Sequence, residues 1–354
     1  MNLLCRILLC FLICNSATVG EDRKKTVIVV DATNKNVLFA ENPDAKKHPA
    51  SLTKMMTVYI LLEAIKNKKI TFGTKFKVSK LASRQMPSKI GLKIGEKISV
   101  LDIIKMLMVK SANDAAVVAA EGLSGSVSNF CKLMNRKAVQ IGMKNTHFEN
   151  PSGVPNPKQI STARDLVKLG MAAYRDFPQY WYLFSLKSFQ YNKTQYDTHC
   201  KILRWYKGAD GAKTGYVNAS GFNLFVTASK YNKAGRKKRL FVVVMGRDSP
   251  KIRDLYTAQL MDKYLKSFTV SSPKTDIKTA RNKLLEQVSK SEMLDQVIHE
   301  EEEILVSDIT KSENISKDYL DELYKVDEEV IEAEEEFLVK PAKVKKDKKQ
   351  IKSP

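Results

Sequence analysis

Histidine and cysteine are scarce in this chain of 354 residues, which contains four histidines and five cysteines. The histidines are scattered, and none of their spacings is typical of metal ligands that share a helix or a hairpin. They are His48, His147, His199 and His299. We therefore expect no metal site in this protein.

Long apolar runs are also rare, and the N-terminus carries the only candidate. Arg6 precedes the apolar run 7–14, and small residues follow it up to Gly20. This run has the length of a signal-peptide core and is too short for a comfortable membrane span. We predict a signal peptide at 1–20 and hence an exported protein, with an uncleaved anchor as the alternative. Ile13 lies where lipoprotein processing requires a small residue, which argues against lipidation of Cys14.

Only two cysteines lie beyond the predicted signal peptide, Cys131 and Cys200. Two cysteines in an oxidising compartment can form a disulfide. They can equally be small buried side chains that never pair. The sequence leaves both possibilities open, and we favour buried thiols.

The net charge of +21 is unevenly distributed along the chain. Residues 271–354 contain 15 lysines and arginines against 21 acidic residues, so that the strongly basic part lies upstream. A basic surface attracts nucleic acid, anionic lipid or an acidic polymer, or it consists simply of solvated lysines. Export and the lack of a base-reading motif argue against nucleic acid.

Hydrophobic spacing predicts strands and then helices in the first half of the chain. Residues 26–40 are typical of two short strands around a polar turn. The segment 51–66 has helical spacing and is apolar on most faces, which indicates a buried helix. A second helix begins at Ser99, a good N-cap, and breaks at 111–114. A third helical run covers 115–122.

The pattern changes to strands in the second half, and a helix ends the domain. Glycines bound the strand 211–217, and strands 221–229 and 239–246 flank a basic turn that contains Gly235. A helix is expected from about 252 to 268. This order predicts an α+β fold with one antiparallel sheet packed against a helical body.

The C-terminal segment 271–354 differs from the rest in composition. It consists largely of Lys, Glu, Asp and Ser and lacks the apolar content for a core of its own. We therefore divide the chain into a signal peptide at 1–20, a folded domain at 21–270 and a charged tail at 271–354. The tail is either partly helical disorder or contains an amphipathic helix for an envelope protein partner, with apolar residues at Leu320, Leu323, Tyr324, Ile331 and Leu338.

The segment that contains Ser51 and Lys54 carries the first chemical motif. Residues three apart lie on one face of a helix, so Lys54 would project beside the Ser51 hydroxyl. A serine hydroxyl needs a base within hydrogen-bond reach before it is a good nucleophile. A lysine can serve if burial or a second cation, such as Lys213, favours its neutral form.

The second motif lies at the bend between two helices. Ser111 offers a hydroxyl that can pass a proton to a leaving amine, and Asn113 offers an amide that can hold a substrate amide.

The third motif lies on an expected edge strand. Lys213 and Thr214 suit a substrate carboxylate, and Gly215 lets a substrate pass close to the backbone. An extended peptide can pair with such an edge. The backbone N–H groups of Ser51 and Tyr216 are then candidates for an oxyanion hole.

Each motif alone is weak, because the charged tail repeats two of them by chance at 271–274 and 312–314. The ordered set is much more specific, since each member lies at a structural junction.

In these motifs the chain resembles the serine D-alanyl-D-alanine carboxypeptidases among the low-molecular-mass penicillin-binding proteins, over about residues 25–268. Longer phrases share the resemblance: Glu41–Asp44, Pro49–Met56, Gly142–Phe148, Asn150–Gly153, Asp210–Gly215 and Gly221–Leu224.

The resemblance implies a β-lactamase/transpeptidase-like fold and a specific set of roles. Ser51 would be the acylated nucleophile, Lys54 the base, Ser111 the proton relay and Asn113 the substrate clamp. Lys213 and Thr214 would bind the substrate carboxylate. Arg253 either helps to hold that carboxylate or is one more surface arginine.

The family also implies a substrate and a location. The substrates would be peptidoglycan stem pentapeptides that end in D-Ala-D-Ala, and β-lactams would be covalent inhibitors. No cofactor is needed. The protein would work in the periplasm or at the outer face of the inner membrane.

One feature of the chain departs from the family, and three other functions stay open. The tail resembles neither the β-rich second domain nor the amphipathic membrane anchor that family members often carry. Endopeptidase action, a β-lactamase that uses Glu149 as its deacylation base, and a non-catalytic envelope-binding protein are the alternatives.

Overall fold

The computed structural model describes residues 25–232, 236–266 and 268. The predicted signal peptide at 1–20 and the predicted tail at 271–354, with its possible partner helix, lie outside the described residues. So do Gly235 and the two chance repeats of the motifs.

The described residues form nine strands and eight α-helices. The strands are β1 Thr26–Asp31, β2 Val37–Glu41, β3 Lys75–Lys77, β4 Lys97–Ser99, β5 Ser188–Tyr191, β6 Thr194–Asp197, β7 Ala209–Val217, β8 Gly221–Tyr231 and β9 Lys237–Arg247. The helices are α1 Lys54–Lys66, α2 Lys80–Ser83, α3 Val100–Lys105, α4 Asn113–Ser124, α5 Val127–Gln140, α6 Ala163–Asp176, α7 Ile202–Trp205 and α8 Pro250–Leu265.

Five strands form one antiparallel sheet in the order β2-β1-β9-β8-β7. The predicted hairpin is confirmed, because β8 pairs with β9 down to Tyr231 opposite Lys237. Strand β7, which carries the third motif, is an edge strand whose sheet neighbour is β8. The edge position expected for this motif is therefore confirmed.

Both faces of the sheet are buried, as strand β1 illustrates. Val27 and Val29 belong to the apolar cluster beneath α8, whereas Ile28 and Val30 belong to the larger cluster formed with the other helices. Alternate residues of a strand point to opposite faces, so all six residues of β1 are buried. The α+β fold with a helical body is confirmed, and its last helix covers the far face of the sheet.

The helix predicted at 51–66 begins later than its hydrophobic pattern suggests. Ala50–Thr53 form a 3-10 turn, and the α-helix begins at Lys54. Ala50 has a left-handed φ of 48°. This backbone turn tightens the chain before Ser51, which therefore lies in the 3-10 turn and not in the α-helix.

The predicted helix cap and bend are confirmed in the second helical region. The Ser99 hydroxyl accepts a hydrogen bond from the Asp102 N–H at 3.1 Å. After α3 the chain continues as a π-helical turn, Met106–Lys110, and ends at Ser111 with φ 61°. Helix α4 then begins at Asn113, two residues before the predicted run.

Both cysteines of the domain, Cys131 and Cys200, are free and buried. Burial raises the pKa of the Cys131 thiol to about 11. Within the described ranges, no helix has the length and apolar character needed to cross a membrane.

Candidate active site

The serine and lysine of the first motif are in direct contact. The Lys54 ammonium donates a hydrogen bond to the Ser51 hydroxyl at 2.8 Å. Ser51 lies in the 3-10 turn and Lys54 opens α1, so the spacing of three still places them on one side. Lys54 is fully buried, with 0% of its surface exposed.

Two further acceptors surround the Lys54 nitrogen. It donates to Asn113 Oδ1 at 2.8 Å and to the Ser152 carbonyl at 2.6 Å. An ammonium has three hydrogens, and Ser51 supplies the third acceptor. A buried charge is costly unless it is hydrogen-bonded, which explains why so many acceptors converge here.

The second and third motifs are joined by another buried lysine. The Lys213 ammonium donates to the Ser111 hydroxyl and to the Thr214 carbonyl, each at 2.9 Å. Because Ser111 accepts from Lys213, its own hydroxyl hydrogen can point elsewhere. The left-handed backbone at Ser111 turns this side chain towards β7.

The Asn113 side chain forms more hydrogen bonds within the protein than its predicted role in substrate binding implies. Its amide nitrogen donates to the Met86 and Pro87 carbonyls, each at 3.0 Å, while its oxygen accepts from Lys54. These contacts occupy both amide hydrogens. Asn113 therefore positions the lysine and the segment beside it, and only its oxygen has capacity left for a substrate.

Two glycines bring separate elements against the serine. A Cβ at Gly215 would lie 2.9 Å from the Ser51 nitrogen, and one at Gly153 would lie 1.9 Å from the Ala50 carbonyl oxygen. Gly153 also has a φ of 91°, which strains other residues. In the part of the chain that the structure describes, the Ser51 N–H forms no hydrogen bond. It is thus available to a bound carbonyl oxygen.

An open cleft lies above Ser51. Three chain segments form its walls, namely 86–88, 153–155 and the end of β7 at 216–218. The Tyr216 hydroxyl donates to Asn218, and the Tyr216 ring packs on Phe222 with centroids 4.4 Å apart. The cleft therefore runs along the edge strand, with Ser51 at its base.

Arg253 occupies a different position from the other predicted residues. It lies on α8, is 3% exposed, and is not among the residues that line the cleft. Its Nε donates to Asp254 at 2.7 Å, and a terminal nitrogen lies 3.5 Å from the Asn223 carbonyl. It is therefore buried and is not the surface arginine of the alternative interpretation.

Cys200 is buried beside the third motif. Its sulfur is 4.0 Å from the Thr214 hydroxyl. Burial raises the pKa of the Cys200 thiol, while the charges of Lys213 and Arg253 oppose that rise. Cys200 therefore lies within the electrostatic influence of both cations.

Sequence reasoning did not single out Asp114, yet this residue shapes the cleft. Its buried carboxylate accepts hydrogen bonds from the backbone N–H groups of Ile90, Gly91 and Leu92 at 2.8–3.2 Å. This fixes the segment that continues from the wall 86–88. An acidic residue in the first turn of a helix is usually explained by its interaction with the helix dipole. Sequence reasoning therefore had no cause to expect that Asp114 also binds the backbone of another segment.

His199 is the second residue whose importance sequence reasoning missed. It is half-buried, and its backbone N–H donates to Val109 at 3.4 Å, just before Ser111. Burial lowers the pKa of His199 well below its usual value, and the charges of four lysines lower it further. They are Lys110, Lys213, Lys201 and Lys54. His199, which the sequence analysis set aside because its spacing is not that of a metal ligand, is thus affected by the charges of the site lysines.

The chain matches the family described as D-alanyl-D-alanine carboxypeptidase, peptidase S11, over residues 14–249. It is 37% identical over 242 residues to D-alanyl-D-alanine carboxypeptidase DacA of Haemophilus influenzae, covering 67% of this chain and 60% of the relative. It is 34% identical over 250 residues to DacD of Escherichia coli, covering 68% of this chain and 63% of the relative.

Solved structures give the same result. Penicillin binding protein 5 of Haemophilus influenzae superposes with a TM-score of 0.64 at 36% identity, covering 67% of this chain and 69% of that one. Penicillin binding protein 6B of Escherichia coli gives 0.62 at 34% identity, covering 67% and 75%. The chain spans about 60% of the length of the curated relatives it matches. It belongs to the D-alanyl-D-alanine carboxypeptidase family, peptidase S11, and has the fold of the penicillin-binding proteins.

Proposed function

We propose that this protein is a serine D-alanyl-D-alanine carboxypeptidase that removes the terminal D-alanine from peptidoglycan stem pentapeptides. The observation that carries the proposal is the 2.8 Å contact between the buried Lys54 nitrogen and the Ser51 hydroxyl. Family membership supports the same activity. The reaction uses Ser51 as an acylated nucleophile and requires no cofactor.

In the first step, Lys54 acts as a neutral amine. It takes the proton of the Ser51 hydroxyl while the oxygen attacks the carbonyl carbon between the two D-alanines. Only the neutral amine has a lone pair that can accept this proton. The oxygen of the tetrahedral intermediate receives hydrogen bonds from the N–H groups of Ser51 and Tyr216.

In the second step, the carbon–nitrogen bond breaks and D-alanine leaves. Ser111 gives its proton to the departing nitrogen, and the proton held by Lys54 replaces it through the network. Lys213 keeps the Ser111 oxygen in place by its 2.9 Å hydrogen bond. Water then attacks the Ser51 ester, with Lys54 again as base, and releases the shortened peptide.

The terminal carboxylate of the substrate binds to the third motif. Lys213 supplies the charge and the Thr214 hydroxyl a hydrogen bond. Arg253, which the family resemblance assigns to the same carboxylate, stays a predicted second cation for it. A β-lactam presents a carboxylate beside a strained amide, so it would acylate Ser51 in the same orientation.

A β-lactamase that uses Glu149 has no support in the geometry. The Glu149 carboxylate is paired with His147 at 2.8 Å, and it does not line the cleft. Endopeptidase action on cross-links remains the nearest alternative, since a relative named D-alanyl-D-alanine endopeptidase in Escherichia coli is 28% identical over 226 residues.

We also propose that the protein is exported and works on the cell wall, in the periplasm or at the outer face of the inner membrane. The relatives named as carboxypeptidases support an envelope location. A protein partner for the segment 271–354 stays a prediction.

The test combines a fluorescent penicillin with a synthetic pentapeptide ending in D-Ala-D-Ala. The protein should become covalently labelled and should release free D-alanine, and Ser51→Ala should abolish both. Ser185→Ala is the matched control, because its hydroxyl bonds the Tyr182 carbonyl away from the cleft. Labelling that survives Ser51→Ala would refute the assignment, while labelling without D-alanine release would favour another acyl-transfer reaction.

A further inference from the structure

A second, smaller sheet carries an unusual concentration of positive charge. Strands β3 and β4 pair with each other, and we call residues 75–99, which they bound, the basic hairpin. It contains six lysines and one arginine against a single acid, Glu96. Six of the basic side chains are exposed: Lys75, Lys77, Lys80, Arg84, Lys93 and Lys97.

These charges are not neutralised within the described ranges. Lys77 lies directly opposite Lys97 in the strand register, an arrangement that costs stability. The six exposed side chains form no ion pair or hydrogen bond with another described residue. Glu96 cannot compensate, because its carboxylate accepts from the Lys93 N–H and the Tyr191 hydroxyl. The hairpin therefore presents an open cationic surface.

Two large apolar side chains are exposed within the same surface. Ile94 is 63% exposed and Leu81 is 52% exposed. Ile94 lies in a tight turn closed by the Glu96 N–H on the Lys93 carbonyl, where polar residues or glycine are usual. Hydrogen bonds from Gly95 and to Glu96 hold Val78 beside this turn, and Leu81 follows three residues later. Both exposed apolar side chains therefore belong to the basic hairpin.

We propose that the basic hairpin docks on an anionic phospholipid bilayer. Ile94 and Leu81 enter the headgroup region, while the surrounding lysines approach the lipid phosphates. An anionic polymer would attract the lysines equally but would gain little from an isoleucine at the tip of a turn. The cleft wall 86–88 belongs to the same segment, so docking keeps the active-site cleft near the bilayer surface.

The experiment measures co-sedimentation of the full chain with two kinds of vesicle. One contains equal parts of phosphatidylglycerol and phosphatidylethanolamine, and the other contains only phosphatidylcholine. We expect binding to the first kind alone, weakening as salt is added. Lys77→Gln with Lys97→Gln should weaken binding about thirtyfold, since each basic residue near such a surface contributes about five- to sixfold. Ile94→Ser with Leu81→Ser should weaken it about tenfold.

Matched variants lie elsewhere on the domain. Lys46→Gln with Lys158→Gln removes two exposed lysines, and Val139→Ser removes an apolar side chain that is 76% exposed. Neither should change binding by more than about twofold. Labelling by fluorescent penicillin, which needs a folded site but not the hairpin charges, should be equal in all variants.

Three results would overturn the proposal. The first is a complete lack of binding of the unmodified chain to anionic vesicles. The second is equal binding by all variants, which would assign the binding to another part of the chain. Loss of binding in the lysine variant with none in the Ile94 and Leu81 variant would indicate an anionic-polymer surface instead of a lipid one.

Discussion

Lysine has opposite roles in two regions of this molecule. At the candidate active site, Lys54 and Lys213 are buried, and each nitrogen is held by fixed oxygen acceptors. On the basic hairpin, Lys77 and Lys97 are exposed and face each other across two strands. Burial with fixed acceptors sets the position of a proton, whereas exposure leaves a charge that acts at a distance and is screened by salt. The surroundings, and not the residue type, decide what the lysine does.

The largest effect among these predictions should come from removing a buried lysine. Lys213→Ala deletes the proposed carboxylate contact and the hydrogen bond to Ser111, so kcat/KM for the pentapeptide should fall at least about a hundredfold. Lys97→Ala is the surface counterpart and should stay within about twofold. Equal losses in both variants would show that general charge, and not position, governs the reaction.

The same contrast between site and surface can be drawn with glycine. Gly215→Ala places a Cβ 2.9 Å from the Ser51 nitrogen, which should shift the serine and lower the acylation rate about a hundredfold. At Gly73 the nearest atom to a new Cβ is 3.9 Å away, and Gly73→Ala should acylate normally. The measurement is the rate of labelling by fluorescent penicillin. A normal rate in Gly215→Ala would contradict the close packing described here.

Acidic residues allow a third comparison. Asp114→Asn turns one acceptor into a donor facing the N–H groups that it now binds, so it should lower the free energy of unfolding by about 2 kcal/mol. Asp44 forms an exposed pair with Arg164 at 2.7 Å, and Asp44→Asn should cost at most about 1 kcal/mol. Urea unfolding of both variants gives the two values. The hypothesis fails if the surface variant is the more destabilised.

The smallest effect concerns acid pH. Because the pKa of His199 is lowered in the folded protein, the unfolded chain binds its proton first. Stability is therefore complete above the ordinary histidine value of about 6.5 and falls as pH drops below it. His199→Gln should reduce this slope without removing it, since other groups also titrate. Urea unfolding between neutral pH and pH about 5 checks the difference, and an unchanged slope would count against it.

Local sequence patterns predicted the helices and strands and the residues of the candidate site. They did not predict the hydrogen bonds that join site residues from distant parts of the chain. The spacing of Ser51 and Lys54 and the cap at Ser99 depend on neighbours in the chain, so both could be read from the sequence. The hydrogen bond between Lys213 and Ser111 joins residues 102 positions apart, and nothing in the sequence suggested it.

The features that sequence reasoning missed depend on packing between distant segments. The 3-10 turn at Ser51 follows from the close approach of Gly153 and Gly215, which no local propensity encodes. Asp114 and His199 look ordinary in sequence because their roles come from backbone and lysines supplied by other elements. Arg253 was identified, but its pairing with Asp254 was not.

The most direct measurement of the central claim is D-alanine release from a peptide ending in D-Ala-D-Ala, compared for a buried and a surface lysine variant. If Lys54 is the base for Ser51, Lys54→Ala should lower the rate about a thousandfold, as expected for loss of a general base. Lys77→Gln with Lys97→Gln, assayed beside it, should retain the full rate. A Lys54→Ala protein that is folded and still releases D-alanine at the normal rate would contradict the account.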